Sequence, residues 1–129
     1  ENNRDFDTAI SDFTEAVKDS LIKRADRTSK YNSERNPNLD RGSFFGKLRD
    51  QYLDSLRKDD LRKWIRYSYE DPRRRARIAA FFVLKSDSEK FQAGDVFTAN
   101  PQNRPETNRR PVANIFDKDS VEIGLDVFA

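Results

Sequence analysis

Apolar side chains recur at three- and four-residue spacings through the start of the chain: Phe6, Ala9, Ile10, Phe13, Ala16, Val17, Leu21, Ile22 and Ala25. That rhythm draws one apolar stripe and predicts a helix from Arg4 to Lys30, with Asn3 as its N-cap. Charge follows the helix dipole, since residues 1–20 carry six acids and two bases while 21–30 carry four bases and one acid. From Tyr31 to Ser43 the chain contains Asn36-Pro37 and Gly42 and reads as a loop. Phe44, Phe45, Leu48, Tyr52, Leu53 and Leu56 then form a second helical stripe.

Lys58-Asp59-Asp60 interrupts the rhythm, and either Asp is placed to cap a third helix carrying Leu61, Trp64 and Ile65, with Tyr67 and Tyr69 near its end. Asp71-Pro72 is an N-cap acid followed by proline at the first helical position, which predicts a fourth helix from Arg73 to Lys85. The apolar run Ile78–Leu84 also fits a buried strand, but the capping signal favours the helix. Residues 90–119 hold Gly94, Pro101, Pro105 and Pro111 and read as an irregular segment that orders only against a partner. Val121, Ile123, Leu125 and Val127 alternate with Glu122, Gly124 and Asp126, a strand pattern with no obvious partner strand in the chain. The expected fold is all-α: a small up-down four-helix bundle over residues 1–87, followed by an extended, largely irregular C-terminal region over 88–129.

Composition limits the core. The 129 residues suit one domain, and only 35% are hydrophobic, below the roughly 45–50% of an ordinary globular domain. The chain has no Cys and no His, which removes thiolate chemistry, serine–histidine and cysteine–histidine catalysis and the commonest metal ligand. Gly42, Gly46, Gly94 and Gly124 are too scattered for a phosphate loop, and the carboxylate pairs Asp5/Asp7 and Asp59/Asp60 read as caps. An enzyme is therefore not expected, nor a cofactor or metal. The longest apolar run has seven residues, against the roughly 20 needed to span a bilayer. Glu1 at the start and the absence of Met lead us to expect a processed or trimmed product.

Charge changes the picture more than its total of +2 suggests. Between residues 57 and 77 lie nine bases (Arg57, Lys58, Arg62, Lys63, Arg66, Arg73, Arg74, Arg75 and Arg77) against four acids, whereas residues 86–129 carry five bases and eight acids. Such a patch suits docking on an acidic surface; the alternative is a solvated face laced with local ion pairs. Basic residues interleaved with Trp64, Tyr67 and Tyr69 also fit a nucleic-acid reader. Against that, Trp64 falls on the stripe of Leu61 and Ile65, which places it in the core, and a dedicated nucleic-acid domain is usually more basic overall.

The segment FFGKLRDQYLDSLRKDDLRKWIRYSYEDPRRRARIAAFF, residues 44–82, resembles the diatom-type extrinsic subunits of photosystem II, small four-helix polypeptides similar to the PsbQ family. The likeness of layout runs over the whole chain, although the helices are shorter than in the plant pattern and a proline-rich N-terminal arm is missing. No plant docking residue is carried over. The resemblance implies a non-catalytic subunit in the chloroplast thylakoid lumen, peripheral to the membrane and monomeric in isolation. It would dock on photosystem II luminal subunits, stabilise the oxygen-evolving complex and help retain calcium and chloride. A histidine-free surface suits that setting, because its charge holds into mildly acidic pH where carboxylates, which titrate near about 4, are still ionised. The competing expectation is a small basic-patch binder of nucleic acid or a secreted interaction protein; a third is strand addition by residues 120–128 to a partner's sheet.

Overall fold

Asp5 opens the first helix by accepting a hydrogen bond from the Thr8 backbone N–H at 2.8 Å. The Thr8 N–H and hydroxyl together hold its carboxyl below the usual carboxylate value. From there α1 (Phe6–Arg35) runs for 30 residues, about 45 Å at 1.5 Å per residue. The apolar stripe read from the sequence is its buried side: Ala9, Ile10, Phe13, Val17, Leu21 and Ala25 are all buried. Asn36 closes it, and Asp40 caps α2 (Arg41–Ser55), which folds back beside α1 with Arg41 paired to Asp26 at 2.9 Å. The computed structural model describes residues 5–72 and 74–128 of the chain.

After Leu56 the chain becomes a sheet. Strands β1 (Arg57–Asp60), β2 (Trp64–Asp71), β3 (Ala76–Leu84), β4 (Asp95–Thr98) and β5 (Ala113–Asn114) form a five-stranded antiparallel meander in sequence order. A last helix, α3 (Lys118–Phe128), returns over the β5 side and packs against α1. The three helices share one face of the sheet, and the core lies between the layers. Phe13 of α1 meets Tyr67 and Phe81 edge-on at 5.2 and 5.9 Å, Tyr52 of α2 meets Tyr69 at 5.3 Å, and Phe128 of α3 meets Phe81 at 4.9 Å. Such edge-to-face pairs stabilise by about 0.5–1.5 kcal/mol each beyond the area they bury.

The fold is thus mixed α and β, and the expected all-α four-helix bundle is wrong. The third and fourth predicted helices are β1–β2 and β3. Asp71-Pro72 misled because a type I turn and the first turn of a helix share backbone angles; here the pair opens the β2–β3 turn, with the Arg74 and Arg75 N–H groups bonded to the Asp71 carbonyl. Arg75 ends that turn at φ 51°, in the left-handed region. Ile78–Leu84 hides its strand period because Tyr67 opposes Phe81 while Ser68 opposes Ala79, which leaves Ala80 as an extra residue. Ile78 and Phe81 consequently both reach the core.

The C-terminal half also differs. Residues 88–128 are not an irregular tail, because β4 and β5 complete the sheet and Val121 and Leu125 are buried in the common core. Residues 121–128 are helical, so the expected alternating strand is absent. Val121 and Leu125 satisfy a helical spacing as well as the alternating one, Phe128 continues the helical one alone, and Asp117 caps the helix by accepting from the Ser120 N–H at 3.2 Å. Strand addition by this segment loses its basis.

Candidate functional site: a cationic sheet edge

A helical third element would have held Arg62, Lys63 and Arg66 on neighbouring positions of one helix. A strand pair spreads them along about 25 Å, taking roughly 3.3 Å per residue over the eight residues of β2. Arg57 and Lys58 lie on β1 and Arg62 and Lys63 in the β1–β2 turn, all four exposed. Arg74 and Arg75 sit in the opposite turn, at the far end of β2, and are exposed too. Arg66 and Arg77 are half-buried on the sheet face away from the helices. Arg73 lies outside the described residues.

Ion pairing divides the set further. Arg66 is held by Asp59 at 3.0 Å across the β1–β2 pair. One guanidinium nitrogen of Arg77 donates to the Ser55 carbonyl and to the Ser68 hydroxyl, each at 3.0 Å, with Glu70 at 4.0 Å beyond. Arg77 therefore ties the sheet to the end of α2, a structural role. Arg74 lies 3.9 Å from the buried Asp71 carboxylate, and Arg75 lines a pocket with Asp54, Glu70 and Asp71. The far turn is cation and anion together.

The β1 end is different. Its acids are already occupied: Asp59 by Arg66, and Asp60 by the Lys85 ammonium, which also donates to the Leu61 carbonyl at 3.1 Å. Among the described residues, Arg57, Lys58, Arg62 and Lys63 have no ion-pair partner within 4.0 Å. Neutralising the interleaved acids with cations from β2 and from Lys85 leaves four uncompensated positive charges at one edge of the sheet.

At the β5 side the sign reverses. A groove of about 430 Å³ runs between α1 and α3, lined by the acids Asp12, Glu15, Asp19, Glu122 and Asp126 together with Lys23 and Lys118; Glu15 is paired with Lys18 and Asp126 with Arg27. Acids outnumber bases in this groove, whereas cations unpaired among the described residues gather at the β1 edge, so charge is unevenly distributed across the molecule. Such an asymmetry orients the molecule as it approaches a charged surface, over the screening distance of about 8–10 Å at physiological salt.

The aromatic residues of the region are committed to packing. Trp64 is on the sheet face opposite Ile65, not on a shared stripe, because neighbours in a strand point to opposite faces. It stands edge-on to Phe82 at 6.2 Å and to Phe97 at 5.4 Å, and Phe91 covers Phe97 at 4.8 Å. This second apolar layer lies under the 85–94 segment. Tyr67 and Tyr69 are fully buried on the helix side. Among the described residues no group of three or more acids could hold a metal ion, and no helix is long and apolar enough to cross a membrane.

The edge could have been found in the sequence only by knowing that residues 57–60 form a strand, since Arg57-Lys58-Asp59-Asp60 carries no β-forming residue type. Comparison with protein-family profiles, curated proteins and solved structures gives no match.

Proposed function

We infer that the protein is a non-catalytic docking module that adheres to an acidic protein surface through β1 and the β1–β2 turn. One observation carries this reading: Arg57, Lys58, Arg62 and Lys63 are exposed without an ion-pair partner among the described residues, while the two acids among them are paired with other cations. The excess of acids over bases in the groove between α1 and α3, near the β5 edge, supports it, because repulsion there favours presentation of the β1 edge. Arg66 and Arg77 drop out as contact residues, and Arg74 and Arg75 become secondary. The photosystem II luminal surface is the acidic partner suggested by resemblance; the α and β architecture deprives that resemblance of its four-helix basis, so this partner enters as one arm of the test. Nucleic acid is disfavoured because Tyr67 and Tyr69 are buried and Trp64 is half-buried edge-on against Phe82 and Phe97, which leaves no open row of stacking faces.

The test is binding as a function of salt to an immobilised polyglutamate surface, to photosystem II particles stripped of extrinsic subunits, and to duplex DNA. Tight binding to an acidic protein surface that weakens steeply with salt is expected. R57E/K58E and R62E/K63E should each abolish it, and R74E/R75E should change it less. Binding indifferent to R57E/K58E, or confined to DNA, overturns the reading.

A further inference from the structure

The β1 edge offers more than charge. The Leu61 N–H donates to the Trp64 carbonyl at 2.8 Å, so residues 61 and 64 are a hydrogen-bonded pair of the β1–β2 ladder. Hydrogen-bonded and non-bonded pairs alternate along an antiparallel ladder. Given the register Asp60↔Ile65, Asp59↔Arg66, Lys58↔Tyr67 and Arg57↔Ser68, it is Asp59 and Arg57 that bond inward to β2. The N–H and C=O groups of Lys58 and Asp60 point outward. The Glu70 N–H obeys the same parity, reaching towards the β1 side to bond the Ser55 hydroxyl at 2.9 Å. Among the described elements β1 packs against β2 and no other, and Lys58 and Asp60 are exposed. The opposite edge is closed differently: the Asn114 N–H of β5 bonds the Ser120 hydroxyl at the start of α3.

We propose that the acidic partner binds as an extended segment that adds a sixth strand to the sheet, pairing its backbone with Lys58 and Asp60 and its carboxylates with Arg57, Lys58, Arg62 and Lys63. The proposal rests on the docking reading and specifies the geometry of that same site. A strand presents side chains alternately to both faces. Arg57 stands on the outer face, in register with Ser68, and Lys58 on the helix side, in register with Tyr67, so carboxylates on either side of an added strand find a cation. Lysine on an edge also discourages pairing with a second uncharged or cationic strand. The same residues that exclude indiscriminate pairing select an acidic one.

Backbone pairing and charge attraction separate cleanly at Lys58. Its N–H points outward, so Lys58→Pro removes a donor the added strand needs while sparing the β1–β2 ladder, and Lys58→Ala removes the same charge but keeps the donor. The probe is a fluorescently labelled peptide of alternating Glu and Thr, with a second version N-methylated at every residue so that neither edge can pair. Anisotropy titrations should show K58P binding about tenfold more weakly than K58A, and the methylated peptide about tenfold more weakly than the plain one on the unsubstituted protein. Hydrogen exchange at the Lys58 and Asp60 amides should slow on binding. The methylated-peptide comparison needs no variant, so it decides the matter even if K58P fails to fold. Equal binding of the two peptides, lost in R57E/K58E, overturns strand addition and leaves electrostatic docking standing. Peptide binding that survives R57E/K58E, or no binding of peptide and acidic surface alike, overturns both.

Discussion

The Thr14 hydroxyl donates to the Ile10 carbonyl at 2.8 Å, so the Tyr67 phenol is the donor in its 2.7 Å hydrogen bond with that hydroxyl. The relay fastens the centre of β2 to α1 inside the core. Burial pushes the Tyr67 phenol up to about 12 from an ordinary 10.0, with the Thr14 bond pulling the other way, and burial also raises Tyr69. In the folded state these phenols keep a proton that the unfolded chain releases.

Stability should therefore be insensitive to these groups below about pH 10 and fall as pH rises from there towards about 12, where the folded protein too deprotonates. Urea unfolding from about pH 9 to about pH 12 measures the slope. Tyr67→Phe should shrink that fall and cost about 1 kcal/mol at neutral pH through the lost hydrogen bond. An unchanged alkaline slope in Y67F contradicts the assignment.

Gly124→Ala reverses the usual sign of a helix substitution. In an open helix the change stabilises by about 0.5–1 kcal/mol. Here a Cβ at residue 124 would stand 2.5 Å from the Val112 carbonyl oxygen, which is backbone and cannot swing aside. We expect a loss of about 1–3 kcal/mol and faster hydrogen exchange through α3; a stabilised G124A would mean that α3 shifts freely.

Arg75→Gly should be neutral or stabilising by about 1 kcal/mol, since φ 51° is costly for arginine and free for glycine. It also removes a cation at the far turn. Thermal melting and the salt-dependent binding assay together check both points, with affinity expected to change less than twofold. A large affinity loss would move the docking surface to the β2–β3 turn.

Arg77→Ala tests the opposite combination. Loss of the links to Ser55 and Ser68 should cost about 1–3 kcal/mol, because both acceptors are left without this donor. Docking measured well below the melting temperature should be retained. Intact stability with lost binding would reassign Arg77 to the interface.

Sequence and fold agree where a rhythm has one interpretation. The stripe from Phe6 to Ala25 is three- and four-spaced and nothing else, and it is the buried side of α1. Phe44, Phe45, Leu48, Tyr52 and Leu53 likewise fall within α2, with Leu56 at its C-cap. Agreement ends where a local signal serves two structures. Asp71-Pro72 starts a turn as well as a helix, and the extra residue at Ala80 erases the alternation that marks a strand. Val121 and Leu125 satisfy both periods, and the Asp117–Ser120 cap decides between them.

Amino-acid order alone established the long first helix, the second helix behind it, the concentration of positive charge between residues 57 and 77, and the absence of histidine and cysteine. Tertiary structure decided that this charge runs along strands, which arginines are spent on holding the sheet together, and which four remain at an open edge. The reason is that pairing a strand is a contact between distant residues. Arg57 finds Ser68, and Asp60 finds Lys85, only after the chain has folded back on itself. No property of residues 57–60 taken alone contains that information.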